Sequence, residues 1–248
     1  GAIEYLNNNY SKELLVKEKK DFLQFKTFHG WDIVPSTARL CLMNLFLQGI
    51  GDFKETPEID VIDSLIEPPK EKVKIVLANP PFGKSSTYTI TNDEKLAKQE
   101  AFILREDFWT TTSNKQLCFV QHIISMLDTN GRAAIVLPDN VLFEGGAGEV
   151  IRKKLLEETN LHTILRLPTG IFYANGVKCN VLFLEKKQVN KKPSTKEVWF
   201  FDYRTNIHHT LKKYPLQFEH LKSFVSCFHS KDRNKTNETW SEQNTKGR

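Results

Sequence analysis

The sequence predicts an α/β domain with a mainly parallel sheet and helices on both faces. Between residues 25 and 184, short apolar runs alternate with segments whose apolar residues recur at helical spacing. Runs such as 74–78 and 133–137 are rich in Val, Ile, Leu and Ala and stop at a proline or a polar residue, as buried strands do. Alternation of strands and helices is typical of a parallel sheet built from crossover units.

The composition is that of an ordinary soluble globular chain. Of 248 residues, 40% are hydrophobic and 26% charged, and the net charge of +5 permits a polyanionic partner without requiring one. No apolar stretch approaches the roughly 20 residues of a membrane span. The four cysteines lie far apart and lack metal-ligand spacing, so we predict no metal site, no membrane association and a reduced, cytoplasmic protein.

The predicted elements follow one another in a regular order. Strands are predicted at 25–33, 59–62, 74–78, 133–137, 162–167, 180–184 and 198–203. Helices are predicted at 2–24 with a break near 7–9, from Pro35 to a cap at Gly49, within 100–127, at 149–158, and in a short stretch of 211–228. The polar stretch 85–97 is predicted to be a mobile loop, and 231–248 a disordered tail.

The most informative stretch is the Asn-Pro-Pro-Phe loop, formed by Asn79, Pro80, Pro81 and Phe82 directly after the strand 74–78. The two prolines stiffen the chain and prevent it from entering a helix. Asn79 supplies an amide oxygen and Phe82 a flat apolar face, at the strand end where open α/β sheets bind ligands. The residues alone permit two interpretations, a grip for a planar group that carries an NH2 or a loop with a packed Phe.

Two carboxylates follow the two preceding predicted strands. Asp32 ends the first and could accept hydrogen bonds from both hydroxyls of a ribose, and Asp63 follows the second and could accept one from an adenine N6 amine. Each carboxylate alone could be an ordinary strand-end cap. With Asn79 they occupy three successive strand ends and predict one cleft, in which Ile33 and Ser64 are the neighbouring residues of the cofactor site.

These motifs resemble those of a known family, the modification (M) subunits of type I restriction-modification systems. The Asn-Pro-Pro-Phe loop looks like the catalytic motif of amino-directed DNA methyltransferases, and Phe at its fourth position favours adenine N6. The resemblance continues through Ile-Val-Leu-Pro-Asp-Asn-Val-Leu-Phe at 135–143 and Leu-Pro-Thr-Gly-Ile-Phe at 167–172. Further matching motifs lie at 30–32, 37–39, 43–45, 114–117, 121–123 and 198–206.

The resemblance implies a Rossmann-like, S-adenosylmethionine-dependent fold and transfer of a methyl group to a flipped-out adenine in double-stranded DNA. It assigns the catalytic loop to Asn79–Phe82, the cofactor ribose to Asp32 and the cofactor adenine to Asp63. The family often has Glu where this chain has Asp32, so the reach of that carboxylate is shorter here. The implied partners are a specificity subunit that reads the DNA sequence, a second M subunit and the restriction subunits.

The chain departs from the family pattern in one respect. The family carries a glycine-rich cofactor motif on the strand before the first helix, and this sequence begins within that helix. We therefore expect a fragment of an M subunit: a partial catalytic domain at 1–190 without its first strand, and a C-terminal extension at 191–248. We expect this chain alone to be inactive and to bind S-adenosylmethionine weakly or not at all.

The sequence also permits two other functions. Asn-Pro-Pro-Phe-like loops also serve methyltransferases that act on guanine N2 in RNA or on a glutamine amide in protein, because both present a planar NH2. A truncated chain could also be a non-catalytic assembly piece of a restriction complex. The flanking motifs favour DNA adenine, whereas the missing glycine motif favours the assembly piece for this chain alone.

Overall fold

The computed structural model describes residues 1–83, 85–173, 176–188, 192–204 and 209–229. Within it the chain forms two compact units that divide between Glu67 and Pro68. The domain boundary predicted near residue 190 stays a prediction. Among the described residues, no helix is both long and apolar enough to cross a membrane.

The first unit contains one small parallel sheet and its helices. The predicted N-terminal helix is interrupted as expected, and its pieces are α1 (Ala2–Asn9), a 3-10 turn (Glu13–Leu15) and α2 (Lys17–Phe25). The elements that follow are β1 (His29–Asp32), α3 (Pro35–Leu47) and β2 (Glu58–Val61). Strands β1 and β2 pair in parallel, with Asp32 beside Val61, and Pro35 opens α3 where a missing N–H costs nothing.

The second unit begins with a strand of the main sheet, followed by a polar segment that forms a small sheet of its own. Its first elements are β3 (Val73–Ala78), β4 (Ser85–Thr91), β5 (Phe102–Leu104), β6 (Thr112–Asn114) and α4 (Lys115–Met126). The mobile loop predicted at 85–97 is therefore wrong, because β4 and a 3-10 turn (Leu96–Lys98) occupy it. The polar run of Ser, Thr and Tyr pairs with β5 and β6 in a separate three-stranded sheet.

The rest of the second unit completes the main sheet. Its elements are β7 (Leu127–Pro138), α5 (Ala147–Glu158), β8 (Thr159–Leu167), β9 (Cys179–Lys186), β10 (Trp199–Asp202) and α6 (Lys222–Phe228). Short 3-10 turns at Asp139–Leu142 and Phe218–Leu221 follow β7 and precede α6. The predicted disordered tail at 231–248 lies outside the described residues.

The main sheet has the order β10-β8-β9-β7-β3. Strand β3 is parallel to β7 and β10 is parallel to β8, whereas β9 is antiparallel to both of its neighbours. Four of the five strands therefore point the same way, and the predicted α/β fold is confirmed. The exception has a local cause, because the described residues between β8 and β9 contain no crossing helix, and a short connection joins only antiparallel strands.

Helices cover both faces of this sheet. On one face α4 and α5 pack through Val120, Ile151 and Leu155 against β7, β8 and β9. On the other face α6 places Phe224 in an aromatic cluster with Trp199 and Phe201 of β10. The side chains of β10 alternate between the two faces, as the pleat requires.

Candidate active site

The Asn-Pro-Pro-Phe loop leaves the main sheet at the carboxyl end of β3. The strand is anchored by the buried Val76 and pairs with β7 up to Ala78 and Ile135. Pro80 is buried and Asn79 is exposed, so the loop is fixed at one residue while the preceding amide faces outward. A rigid loop that presents an exposed amide is suited to binding a polar planar group.

Phe82 is held from two directions. Its carbonyl oxygen accepts a hydrogen bond from the Nε2 of Gln116 at 2.5 Å. Its ring makes a T-shaped contact with Phe172, with the ring centroids 5.1 Å apart and the planes at 86°. Phe172 lies in the segment that follows β8, so two separate parts of the second unit hold this half-buried residue, one through its backbone and one through its ring.

Gln116 belongs to a group of four side chains, which we call the amide network: Asn114, Gln116, Asn140 and Glu144. The Nδ2 of Asn140 donates to the Oε1 of Gln116 at 2.9 Å and to the Oε2 of Glu144 at 3.1 Å. The Nδ2 of Asn114 donates to both carboxylate oxygens of Glu144, at 3.1 and 3.2 Å. The network therefore ties the loop to the start of α4 and to the segment after β7.

Asn114 also explains why α4 begins where it does. Its side-chain oxygen accepts hydrogen bonds from the backbone N–H groups of Gln116 and Leu117, at 3.0 and 3.4 Å. This N-cap satisfies two of the backbone donors that the first helical turn leaves open. The same residue thus fixes the helix that carries Gln116 and orients the carboxylate of Glu144.

The four predicted cofactor residues lie in the first unit, at the carboxyl ends of β1 and β2. The Oδ1 of Asp32 accepts from the N–H of Val34 at 2.7 Å, and the Oδ1 of Asp63 accepts from the N–H of Leu65 at 3.0 Å. Ile33 is 63% exposed and Ser64 half-buried. Because β1 and β2 are adjacent and parallel, these carboxylates follow neighbouring strand ends, an acceptor set that suits the hydroxyls and the amine of an adenosyl group.

A charged cluster occupies the carboxyl end of β7, next to β3. The Oδ1 of Asp139 accepts from Asn180 at 2.7 Å, and its Oδ2 lies 3.7 Å from both Arg166 and Arg204. Arg204 also forms a two-pronged pair with Asp202, which raises the pKa of the guanidinium. The charges of the two arginines and the two aspartates balance, so this cluster stabilises the sheet edge and offers no net charge to a ligand.

Cys179 lies beside this cluster and is fully buried. Burial, followed by the negative charge of Asp139, raises the pKa of its thiol to about 12. The side chain therefore stays a neutral thiol near neutral pH and has no role as a nucleophile.

An apolar cavity of about 350 Å³ lies elsewhere, against α5. Its lining is mainly aliphatic and includes Val120, Leu142, Ile151, Leu156 and Leu182. None of the predicted site residues lines it, and the described residues of its lining offer no acceptor set for an amine. The cavity is therefore not the candidate active site.

A mixed α/β sheet with helices on both faces and an Asn-Pro-Pro-Phe loop at its carboxyl edge has the form of a Rossmann-like methyltransferase. The model of the family described as N-6 DNA Methylase matches residues 10–246 of this chain. The chain belongs to that family.

Named relatives agree with this assignment. The chain is similar to the type I restriction enzyme EcoKI methylase subunit of Escherichia coli K12, with 45% identity over 218 residues, 85% of this chain and 39% of the relative. The crystal structure of the EcoKI M protein superimposes with a TM-score of 0.75 at 40% identity, over 92% of this chain and 46% of that one. The crystal structure of a modification subunit of a putative type I restriction enzyme from Vibrio vulnificus superimposes with a TM-score of 0.68 at 27% identity. The match covers 88% of this chain and 44% of that one. The chain thus spans less than half the length of these relatives.

Two contacts of the Asn-Pro-Pro-Phe loop were not predicted from the sequence, those with Gln116 and Phe172. One signal for Gln116 is visible, because it is a polar residue on a helix whose other buried positions are mostly apolar. Phe172 lies in the 167–172 motif, but nothing in that motif indicates that its ring meets Phe82.

Proposed function

We propose that this chain carries the catalytic loop of a DNA adenine N6-methyltransferase that works as the methylase subunit of a type I restriction-modification system. The observation that carries the proposal is the exposed amide of Asn79, at the end of a buried strand and next to the fixed ring of Phe82. Membership of the N-6 DNA Methylase family supports adenine N6 as the acceptor.

For methyl transfer to occur, the loop must hold and orient a weak nucleophile. The lone pair of an exocyclic amine is delocalised into the ring, so the amine must be turned out of conjugation and aimed. The Asn79 side-chain oxygen and the Pro80 carbonyl oxygen would each accept one of its N–H groups. Both acceptors are neutral, so no unpaired carboxylate needs to be desolvated. Such positioning contributes up to roughly 7–11 kcal/mol in the best cases.

Phe82 supplies the surface for the base. The target adenine must leave the duplex before the loop can reach its amine, which costs a few kcal/mol of unstacking. Stacking on an aromatic ring stabilises the bound base by about 1–3 kcal/mol. The contacts of Phe82 with Gln116 and Phe172 would keep the ring in place before the base arrives.

The proposed cofactor is S-adenosylmethionine, which supplies an electrophilic methyl group when bound. Asp32 and Asp63, with Ile33 and Ser64 beside them, would hold its adenosyl part. Two carboxylates on adjacent strand ends supply the acceptors that the ribose hydroxyls and the adenine amine need.

The proposed partners are those that the resemblance to type I modification subunits implies. They are double-stranded DNA, a specificity subunit, a second methylase subunit and the restriction subunits of a type I complex. The mild net charge of +5 fits a subunit that leaves sequence recognition to another chain.

The test uses the methylase subunit that contains this chain, assembled with its specificity subunit. The complex is incubated with duplex DNA and S-adenosylmethionine labelled in the methyl group, and the nucleosides are then identified by mass spectrometry. We expect label in N6-methyladenine and a loss of about 100-fold to 1000-fold in rate for Asn79→Ala, the range seen when one oriented hydrogen-bonding group is lost.

Asn92→Ala is the matched control, because Asn92 is an exposed asparagine of the same unit whose side chain donates to the backbone carbonyl of Trp109. Its rate should stay within about threefold of the unchanged complex. Label in cytosine N4 with none in DNA adenine, or label only in RNA or protein substrates offered in parallel reactions, would overturn the proposal.

A further inference from the structure

We propose that Gln116 is a positioning residue that sets the conformation of the Asn-Pro-Pro-Phe loop through the carbonyl of Phe82. The inference rests on the proposed function, because the loop must be the catalytic loop for its position to affect the rate. Gln116 would not touch the base itself. It would act by holding the backbone on which Phe82 and the acceptor groups are mounted.

The position of Gln116 makes its amide orientation unambiguous. The side chain is 2% exposed, so water cannot replace its partners. Its Oε1 accepts from Asn140 at 2.9 Å, which leaves Nε2 to donate to the Phe82 carbonyl at 2.5 Å. With the amide reversed, the NH2 group of Gln116 would face the NH2 group of Asn140, and its oxygen would face the carbonyl oxygen of Phe82. Only one orientation of the amide therefore satisfies both contacts.

The amide network keeps that rotamer in place. Asn140, which holds the Oε1 of Gln116, is itself held by Glu144, and Glu144 is held by Asn114. Asn114 in turn caps the helix that carries Gln116, so the chain of contacts closes on itself. Fully satisfied networks of this kind rigidify the groups at their ends. Here the end group is the carbonyl of Phe82.

The same helix provides a matched control. Gln121 is also 2% exposed, and its side chain accepts from the N–H groups of Trp109 and Thr110 at 2.8 and 3.0 Å. It therefore resembles Gln116 in residue type, burial and helix, but it fixes the segment before β6. Loss of either glutamine leaves part-buried backbone groups unpaired, and we expect a similar loss of stability from both variants.

The experiment compares Gln116→Ala and Gln121→Ala in the methylase subunit assembled with its specificity subunit. Single-turnover methyl transfer to duplex DNA and the thermal midpoint are measured for both. We expect Gln116→Ala to slow the transfer about 10-fold to 100-fold, since a misplacement of about 1 Å can cost about 100-fold. We expect Gln121→Ala to stay within about threefold at a similar thermal midpoint.

Gln116→Glu adds a readout that a merely structural role would not change. The new carboxyl group can donate to the Phe82 carbonyl only when protonated, and burial raises its pKa towards neutrality. The rate of this variant relative to the unchanged complex should therefore rise as the pH is lowered from about 8 to about 6. Equal rates for the two alanine variants, or a pH-independent ratio for Gln116→Glu, would overturn the proposal.

The proposed function is judged separately, by the methylated product of the unchanged complex. A complex that methylates adenine but shows no difference between the two glutamine variants rejects the role of Gln116 alone. A complex that does not methylate adenine rejects the proposed function and this inference with it.

Discussion

Strands β3 and β7 are neighbours that point the same way, and each ends in a segment with a proline and polar residues, yet the two ends differ in character. At the end of β3, Asn79 is exposed and its neighbour Pro80 is buried. At the end of β7, Asp139 is held by Asn180, Arg166 and Arg204. The polar group at the end of β3 is exposed, whereas the polar group at the end of β7 is bonded to other side chains of the fold.

The difference shows what distinguishes a candidate site from a structural cluster at the same sheet edge. A charged carboxylate at a partly buried edge needs partners, and those of Asp139 come from β8, β9 and the end of β10. A neutral amide can stay exposed at little cost, because water satisfies it. We therefore expect changes at the end of β3 to affect methyl transfer, and changes at Asp139 and its partners to affect stability.

The largest effect on stability is expected at the end of β8, from Gly170→Ala. Gly170 has φ +87°, and an added Cβ would lie 2.0 Å from the backbone oxygen of His209. Gly176→Ala is the control, because Gly176 has φ +79° but open space around the added Cβ. In urea denaturation we expect losses of about 3 kcal/mol or more for Gly170→Ala and about 1 kcal/mol for Gly176→Ala. Equal losses would show that the contact with His209 does not constrain this strand end.

A smaller effect is expected from Asp107→Asn, which tests a carboxylate that is used within the fold. Asp107 accepts from the Nε and one terminal nitrogen of the buried Arg105, both at 2.8 Å. Burial raises the pKa of the Asp107 carboxyl, but hydrogen bonds from Arg105 and Ser125 outweigh it and lower the pKa overall. We expect a loss of about 2 kcal/mol at pH 7, because the guanidinium keeps an acceptor but loses its counter-charge.

The pH dependence of the stability loss in Asp107→Asn tests the direction of the pKa shift of Asp107. A lowered pKa in the folded state stabilises the fold above the ordinary aspartate pKa of about 3.9, and this stabilisation is lost as the pH falls through the lower folded value. The difference between Asp107→Asn and the unchanged chain should therefore be constant from about pH 7 to 5 and shrink below about pH 4. A difference that grew on acidification would contradict the assigned pKa shift.

The smallest of these effects on stability is expected from Asp139→Ala. Its separations of 3.7 Å from Arg166 and Arg204 are long, and all three side chains are partly exposed. We expect a loss of about 1 kcal/mol in the free energy of unfolding, mostly from the hydrogen bond of Asn180. The rate of methyl transfer should stay within about threefold. A large loss of rate with unchanged stability would show that this strand end also belongs to the active site.

Strand β3, its loop and the alternation of strands and helices could be predicted because they depend on local signals. The apolar run predicted at 74–78 is a strand at Val73–Ala78, and the prolines end it. The direction of β9 could not be predicted, because it depends on how the chain returns after β8. The amide network could not be predicted either, because Gln116 bonds to Phe82 and Asn140, which lie 34 and 24 residues away in the sequence.

The central claim is that the Asn-Pro-Pro-Phe loop performs the methyl transfer, and the double variant Asn79→Ala with Phe82→Ala tests it most directly. The measurement is the single-turnover formation of N6-methyladenine by the methylase subunit assembled with its specificity subunit, with the thermal midpoint recorded to establish folding. We predict no detectable product from a folded double variant, because one of the two amine acceptors and the stacking surface are both removed. Product formed at a rate within tenfold of the unchanged complex would contradict the claim.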